Sequence, residues 1–335
     1  MNVLRRAAIR AAMKSDWLVR FAGKRRSTGP DAKLDRQVAA ALEYQRVARL
    51  PPLESLDPAA ARRFAESNLE ATELALRPMA EVIDTTVTHE RIPVRIYVPH
   101  DAGKHWIVWC HGGGGVIGSI DGSERVTRYL AEHTKCTVAS VGYRLGPEDK
   151  HPMAIDDALL AWEALSERVP TGGRVAIGGD SFGGFLSVHV DRETRRRKIR
   201  QPDLQILVYP LLDMTLTAPS IDRYGEGYLL TKAMMHYFRD HYLNNADERE
   251  SGSPWFWLDE HLEGASPAIV VTAGFDPLVD EGDGWAARLD SAGVTVRHHC
   301  HESLVHGFLS LAGIVRAAKS ATDRICVEIV ELLAK

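Results

Sequence analysis

The chain has 335 residues, of which 45% are hydrophobic and 26% charged, and its formal net charge is −4. A chain of this size can bury one large α/β domain with a smaller appendage, and its slight negative charge argues against a general affinity for nucleic acid. No run of eighteen apolar residues occurs, so the sequence predicts no integral membrane segment.

The first 28 residues carry eight basic side chains against one acid, Asp16. Charged residues interrupt the apolar ones, so the segment lacks the continuous core of a secretory signal, and a solvated basic extension is expected over 1–32. The alternative is a helix that contacts a membrane surface or a partner through residues 1–28. The positions of Ile9 and Trp17, on the charged side of such a helix, disfavour it.

Residues 33–80 are expected to form the first part of a helical cap. Leu34, Val38 and Leu42 recur at helical spacing. Further on, Asp57 and Pro58 are typical of a helix N-cap followed by proline in the first turn. Both helices precede the first strand-like run, so we expect them to lie outside the sheet.

The main α/β domain is predicted to span 81–335, because apolar β-branched runs alternate there with helix-like stretches. Such alternation is typical of a mostly parallel sheet of about eight strands flanked by helices. The predicted strands are 81–88, 92–98, 105–110, 136–142, 174–178, 204–210, 267–273 and 294–298. The predicted helices are 121–133, 154–168, 182–197, 231–243, 280–292 and 312–334.

A second segment outside the sheet, at about 215–250, is rich in apolar side chains such as Tyr228, Met234 and Phe238. Helices inserted between strands most simply pack together as a lid, so this insertion is predicted to be the second part of the cap. An additional core layer without contact to any ligand is the alternative.

The stretch VAIGGDSFGGF, 175–185, places Ser181 between two pairs of glycines directly after a strand. The spacing fits neither phosphate-binding glycine motif, but it matches G-x-S-x-G, the pattern of a sharp strand-to-helix turn that exposes a serine hydroxyl. Gly179 and Gly183 are expected to leave room where the backbone crowds this turn. The amide of Phe182, at the helix start, is expected to stabilise a developing oxyanion.

Four consecutive glycines, Gly112 to Gly115, follow another strand. Without side chains they let backbone amides approach a ligand, so they are a candidate second set of oxyanion donors, with a tight turn as the alternative. Asp180 is expected to be structural, since the sequence neighbour of the serine points away from the serine's own partner.

A base and an acid that follow other strands complete the pattern. His306 lies just past the last predicted strand, where active sites of open α/β sheets gather, and His301 is its rival. Asp276 is the first acid after the preceding strand, whereas Asp280 and Asp283 are typical of a first helical turn. The order of serine, acid and histidine along the chain is the one found in α/β-hydrolases.

The four cysteines are far apart and lack metal-type spacing. Together with the missing secretory signal, they predict reduced thiols in a cytoplasmic protein. No cofactor or metal site is predicted.

The chain closely resembles the bacterial hormone-sensitive-lipase family of α/β-hydrolase carboxylesterases, also called family IV. The resemblance spans about 33–335 and implies the α/β-hydrolase fold with a helical cap. The matching motifs are His111-Gly112-Gly113-Gly114, YRLGPE at 143–148, DDALLAW at 156–162, GGDSFGG at 178–184, YPLLD at 209–213, DPLVD at 276–280 and HGF at 306–308.

The resemblance implies a catalytic triad of Ser181 as nucleophile, His306 as general base and then acid, and Asp276 as the residue that orients the imidazole. The oxyanion hole that it implies is built from the amides of Gly113, Gly114 and Phe182. The residues expected to support these motifs are His111, Gly112, Gly179, Asp180 and Gly183.

Two departures from the family pattern bear on the substrate pocket. The family commonly has alanine after the serine and an aromatic residue after the HGGG motif, whereas this chain has Phe182 and Gly115. This exchange is expected to move aromatic bulk across the oxyanion hole and to reshape the pocket. The expected pocket residues are Gly115, Phe185, Tyr209 and Leu278.

The function that the resemblance implies is that of a cofactor-free serine carboxylesterase. Its substrates would be small-molecule esters with short to medium acyl chains, hydrolysed through an acyl-enzyme. An amidase, a lactonase or an acyltransferase would use the same triad, and these alternatives stay open. A ligand-binding receptor on the same scaffold is disfavoured because all three triad positions are filled. Whether the chain forms a homodimer is left open.

Overall fold

A computed structural model describes residues 33–48, 50–69 and 72–335, together with Val19. The predicted basic extension over 1–32 therefore lies outside the described residues, apart from Val19. The strands are β1 (Glu81–Val87), β2 (Ile92–Val98), β3 (Trp106–Cys110), β4 (Thr137–Val141), β5 (Val175–Asp180), β6 (Leu204–Val208), β7 (Ala268–Phe275) and β8 (Val296–Val305).

The helices alternate with these strands, as the sequence pattern predicts. They are α1 (Arg36–Ala48), α2 (Pro58–Leu69), α3 (Ile120–Thr134), α4 (Met153–Ser166), α5 (Phe182–Arg197), α6 (Pro219–Tyr224), α7 (Lys232–Tyr242), α8 (Glu248–Ser251), α9 (Val279–Ser291) and α10 (Arg316–Leu333). None of the helices in the described part of the chain is both long and apolar enough to cross a bilayer.

All eight strands form one sheet in the order β1-β2-β4-β3-β5-β6-β7-β8. β2 runs antiparallel to β1 and β4, and every other neighbouring pair is parallel. The prediction of a mostly parallel sheet of about eight strands is therefore confirmed. Because the parallel strands share one direction, the loops that follow β3, β5, β7 and β8 all leave the sheet at its carboxyl edge.

The sheet is covered on both faces, which explains why its central strands are continuously apolar. Every residue of β4 and β6 is buried. One core cluster contains side chains of α3 and α10, a second contains those of α4 and α5, and a third contains those of α9. The segments between strands therefore leave little of the central sheet open to solvent.

The last strand is longer than the sequence pattern predicts. β8 ends at Val305 rather than at 298, and its residues alternate between half-buried and exposed positions up to 303. β8 is the edge strand of the sheet, with β7 as its only neighbour among the described strands. A strand open to solvent carries polar side chains such as His298 and His301, so hydrophobicity does not mark its full length.

The two halves of the predicted first cap segment have different surroundings. The start of α1 contacts the sheet edge and the C-terminal helix, since the amide of Asp35 donates to the Ser303 carbonyl at 2.9 Å and that of Arg316 to Gln37 Oε1 at 2.8 Å. The segment around α2 contacts the insertion after β6, where the Tyr237 hydroxyl donates to the Leu56 carbonyl at 3.1 Å. That insertion occupies 209–267, more than the 215–250 expected from its apolar residues.

Candidate active site

Three polar side chains from three different strand ends meet at the carboxyl edge of the sheet. Ser181 follows β5, Asp276 follows β7 and His306 follows β8. The Nε2 atom of His306 lies 3.0 Å from Ser181 Oγ, and its Nδ1 atom lies 2.8 Å from Asp276 Oδ2. The structure thus joins the three residues that the sequence singled out, in one hydrogen-bonded chain.

Ser181 sits on a strained turn between β5 and α5. Its φ of 55° and ψ of −115° are uncommon for a residue with a side chain, and such a conformation costs about 1–3 kcal/mol. Two of its backbone hydrogen bonds tie it to β6 and the loop that follows, from the Ser181 amide to the Val208 carbonyl at 2.8 Å and from the Leu211 amide to the Ser181 carbonyl at 3.1 Å. The neighbouring β6 thereby fixes the direction of the serine hydroxyl.

The glycines around this turn are required by the close approach of β3. A Cβ atom on Gly183 would lie 1.9 Å from the Cys110 carbonyl oxygen, and one on Gly179 would lie 2.3 Å from the same oxygen. Both contacts are with backbone, which cannot rotate away as a side chain can. The crowding of the turn is therefore the physical reason for glycine at both positions.

Replacing Gly183 by alanine is expected to lower the free energy of unfolding by about 3 kcal/mol or more, because the new methyl group must displace the backbone at the end of β3. Urea denaturation followed by circular dichroism measures this loss. Gly103→Ala is the matched control, since its Cβ would lie at an ordinary 3.4 Å from the Lys135 carbonyl. Equal stability of the two variants would contradict the steric explanation.

Asp276 is the acid that reaches the histidine, and the other acids of its segment serve elsewhere. It is fully buried, and its second oxygen, Oδ1, accepts from the Leu278 amide at 2.8 Å. Asp280 instead accepts from the Ser220 amide, and Asp283 contacts His298 on β8. Asp280 lies in the first turn of α9, as predicted, whereas the same prediction is wrong for Asp283, which lies in the second turn.

The rival histidine does not contact the serine. His301 lies inside β8, four residues before its end, and its ring packs edge-on against Phe308 at 5.8 Å. Burial lowers its pKa. The extra length of β8 explains the outcome, because only a residue beyond the strand end reaches the edge of the sheet where Ser181 lies.

The glycine loop after β3 presents free amides beside the serine. Among the described residues, none accepts a hydrogen bond from the amide of Gly113, Gly114 or Phe182. The amide of Gly112 is different, since it donates to Asp180 Oδ1 at 3.0 Å. Asp180 thus ties the glycine loop to the serine turn, which is the structural role expected of it. Desolvation raises the pKa of its carboxyl to about 6, opposed by the nearby His306 and by the Gly112 amide.

His111 supports the same loop through a hydrogen bond to its backbone. Its Nδ1 atom lies 2.7 Å from the Gly112 carbonyl oxygen, and its ring stacks on Tyr143 at 4.4 Å. The hydroxyl of Tyr143 donates to the His111 carbonyl at 2.6 Å. Burial lowers the pKa of His111 to about 4, so the imidazole is neutral near pH 7 and Nδ1 can donate to the Gly112 carbonyl.

Glu281 is a supporting residue that the sequence did not reveal. It is buried in α9, and its Oε1 atom accepts from the amides of Leu212 and Asp213 at 2.5 and 3.2 Å. Burial raises its pKa well above the ordinary value. Glu281 holds the loop after β6 from which Leu211 reaches Ser181. In the sequence it is indistinguishable from the acids that favour a helix N-terminus.

A mostly apolar cavity of about 310 Å³ opens at these residues. Ser181, His306, Gly113 and Gly114 lie on its wall. The insertion after β6 supplies much of the remaining surface, in agreement with its apolar pattern. Its apolar lining includes Trp109, Ile117, Tyr209, Leu211, Met214, Leu216, Leu229, Leu230, Met234, Met235, Phe238, Tyr242 and Leu278.

Two of the four expected pocket residues lie elsewhere. Tyr209 and Leu278 line the cavity, but Phe185 is fully buried and packs on Phe182, with ring centroids 5.0 Å apart. Gly115 lies behind the cavity wall, where a Cβ atom would be 2.8 Å from Phe182 Cζ. The Phe182 ring therefore fills the space beside Gly115 in the core and does not reshape the pocket as the sequence suggested.

A family model described as the α/β-hydrolase fold matches residues 107–310. The ethyl acetate hydrolase of Pseudomonas putida is 33% identical over 295 residues, which cover 84% of this chain and 91% of that protein. The chain belongs to the bacterial hormone-sensitive-lipase family of α/β-hydrolase carboxylesterases. The arylesterase of Saccharolobus solfataricus is 32% identical over 78% of this chain and 88% of its own length.

Solved structures of esterases place this family member in the same fold. A thermostable esterase from Pseudomonas putida ECU1011 superimposes with a TM-score of 0.85 at 29% identity, covering 92% of this chain and 99% of that one. An ester hydrolase from the metagenome of Lake Arreo superimposes with a TM-score of 0.84 at 31% identity, covering 90% and 100%. This family IV member is accordingly a carboxylic ester hydrolase with small-molecule esters as substrates.

Proposed function

We propose that this carboxylesterase acts through Ser181 as nucleophile, His306 as general base and then acid, and Asp276 as the residue that orients the imidazole. The supporting observation is the hydrogen-bonded chain from Ser181 Oγ through His306 to the buried Asp276. A serine hydroxyl is a weak nucleophile, and a positioned imidazole that accepts its proton removes this limitation.

In the acylation step Ser181 Oγ attacks the ester carbonyl while its proton passes to His306 Nε2. The charge that develops on the carbonyl oxygen is stabilised by the amides of Gly113, Gly114 and Phe182, which have no acceptor among the described residues. His306 then gives the proton to the leaving alkoxide, which departs as an alcohol. The imidazolium formed on the way is stabilised by Asp276.

In the deacylation step water attacks the acyl-enzyme. His306 takes a proton from this water, and the second tetrahedral intermediate uses the same amides. Collapse of the intermediate returns the proton to Ser181 Oγ and releases the carboxylic acid. No cofactor takes part in these steps.

The proposed substrates are esters with short to medium acyl chains. The cavity is apolar and lies at the small end of the range for ligand sites, which is about 300–1,000 Å³. We expect kcat/KM to be highest for p-nitrophenyl esters between acetyl and octanoyl and to fall for palmitoyl. Mass spectrometry after treatment with a fluorophosphonate should find the label on Ser181. A label on another residue, or an equal preference for palmitoyl, would contradict the proposal.

The cap is proposed to consist of the segment around α2 and the insertion after β6. Both line the cavity, through Ala65 and Glu66 on one side and through Met234, Met235 and Phe238 on the other. α1 contacts β8 and the C-terminal helix, so only the second half of 33–80 is assigned to the cap.

A cytoplasmic location is proposed from the four cysteines, all of which are free thiols. Cys110, Cys136 and Cys326 are buried, and burial raises the pKa of each thiol to about 11 or 12, whereas Cys300 is exposed. A thiol reagent such as Ellman's reagent should therefore modify one cysteine in the folded enzyme and all four in urea. Cys300→Ser is the control that should abolish the reaction of the folded enzyme. Rapid modification of Cys110, Cys136 or Cys326 in the folded enzyme would contradict the burial of these thiols.

A further inference from the structure

Arg62 on α2 connects the cap to the loops around the glycine motif. Its Nε atom donates to the Val116 carbonyl at 2.8 Å, and its Nη2 atom donates to the Gly146 carbonyl at 2.7 Å. Its Nη1 and Nη2 atoms also pair with the Glu148 carboxylate at 2.9 and 2.6 Å. One guanidinium therefore binds two separate loops of the α/β domain at once.

These two loops hold the glycine loop that carries the proposed oxyanion donors. The Val116 amide donates to the Gly113 carbonyl at 3.1 Å, and the Gly146 amide donates to the Gly115 carbonyl at 2.8 Å. The carbonyls of Gly113 and Gly115 thus accept hydrogen bonds, while the amides of Gly113 and Gly114 remain free to donate to a substrate. Arg62 binds the carbonyls of the same two residues, Val116 and Gly146, whose amides make these bonds.

We propose that Arg62 is a positioning residue of the oxyanion hole. By joining the Val116 and Gly146 carbonyls from the cap, it holds the loops that bind the Gly113 and Gly115 carbonyls. Because the Gly113 carbonyl and the Gly114 amide belong to one planar peptide group, Arg62 thereby fixes the direction of the Gly114 amide before substrate binds. Stabilisation of an oxyanion depends on donors that are already oriented when the charge develops. The inference rests on the proposed role of the Gly114 amide as an oxyanion donor.

The planar shape of the guanidinium carries this role more than its charge does. Glu148 is 57% exposed on its side chain, and an ion pair with so exposed a partner contributes little by itself. The two bonds to backbone carbonyls need donors in one rigid plane, and the ammonium group of lysine lacks that geometry. The variant Arg62→Lys therefore keeps the positive charge but loses the planar set of donors that binds both carbonyls.

The test compares Arg62→Ala and Arg62→Lys with the wild type in steady-state kinetics and in inhibition by a trifluoromethyl ketone. Such a ketone adds to the serine and places an oxyanion in the hole. Both variants are expected to lower kcat about tenfold with KM changed by less than about twofold, and to weaken the ketone about tenfold relative to its unfluorinated counterpart. Glu148→Gln, which keeps both carbonyl bonds, is expected to have a smaller effect.

The matched control is Arg63→Ala, which removes an exposed arginine from the next position of the same helix and should leave kcat and ketone binding unchanged. If Arg62→Lys folds with a lower melting temperature but binds the ketone as tightly as the wild type, Arg62 is merely structural and the inference is overturned. If the ketone does not add to Ser181 in the wild type, the proposed catalytic function fails instead, and the inference fails with it.

Discussion

Replacing Ser181 by alanine is expected to lower kcat for short aryl esters by a factor of about a million, the loss typical when a triad nucleophile is removed. The variant has no oxygen 3.0 Å from His306 Nε2 to attack the ester carbonyl. The apolar cavity and the free amides of Gly113 and Gly114 remain, so binding of substrate is expected to persist. Stopped-flow release of p-nitrophenol, with binding of the intact ester to the variant measured by calorimetry, checks both parts.

The control for this variant is Ser187→Ala. Ser187 lies on the same helix, is fully buried, and donates its hydroxyl to the Gly183 carbonyl at 2.8 Å. Its removal should lower the melting temperature slightly and leave kcat within about twofold of the wild type, because a neutral buried hydrogen bond contributes about 1 kcal/mol to stability. If Ser181→Ala retained most of its activity, another nucleophile would have to be sought in the cavity.

Replacing Asp276 by asparagine is expected to lower kcat about 10⁴-fold while the fold is preserved. Asp276 Oδ1 accepts from the Leu278 amide, so the asparagine places its oxygen there and turns its NH₂ group towards His306 Nδ1. His306 Nδ1 must then accept a hydrogen bond from this NH₂ group, so the ring proton moves to Nε2. The imidazole would face Ser181 Oγ with a donor, and it could not take the serine proton.

Single-turnover kinetics with an activated ester isolates the acylation step at which this loss should appear. Asp283→Asn is the matched control, because Asp283 belongs to the same segment but contacts Thr272 and His298. We expect its kcat to stay within about twofold of the wild type. Comparable losses in the two variants would mean that the tautomer argument is wrong and that the segment acts through its overall negative charge.

The arrangement at the strand ends was predictable because it depends on chain order and local pattern. In a parallel sheet the residue after each strand reaches one common edge, so Ser181, Asp276 and His306 could be brought together without knowledge of packing. The choice of His306 over His301 depended on where β8 ends. The pattern placed that end seven residues too early, but His306 was still beyond the true end.

The pocket was less predictable because its walls are set by packing between distant segments. Phe182 and Phe185 lie one and four residues after the serine, yet both rings turn into the core, where Tyr242 of α7 packs edge-on against them. Glu281 could not be distinguished by pattern from an ordinary N-terminal acid, since its partners, the amides of Leu212 and Asp213, are remote in sequence. The same holds for Arg62, which contacts loops 54 and 84 residues away.

The close contact between Gly115 and Phe182 also restricts the order in which substitutions can accumulate at these two positions. A side chain added at 115 would collide with Phe182 and Tyr242, which lie 2.8 and 2.9 Å from its Cβ position. Overpacking of this kind costs about 1–3 kcal/mol, whereas loss of the buried Phe182 ring costs about 3–5 kcal/mol. A substitution at either position alone is therefore a substantial loss relative to a typical free energy of unfolding of about 5–15 kcal/mol. Descendants of this sequence are therefore expected to exchange both residues together or to retain both.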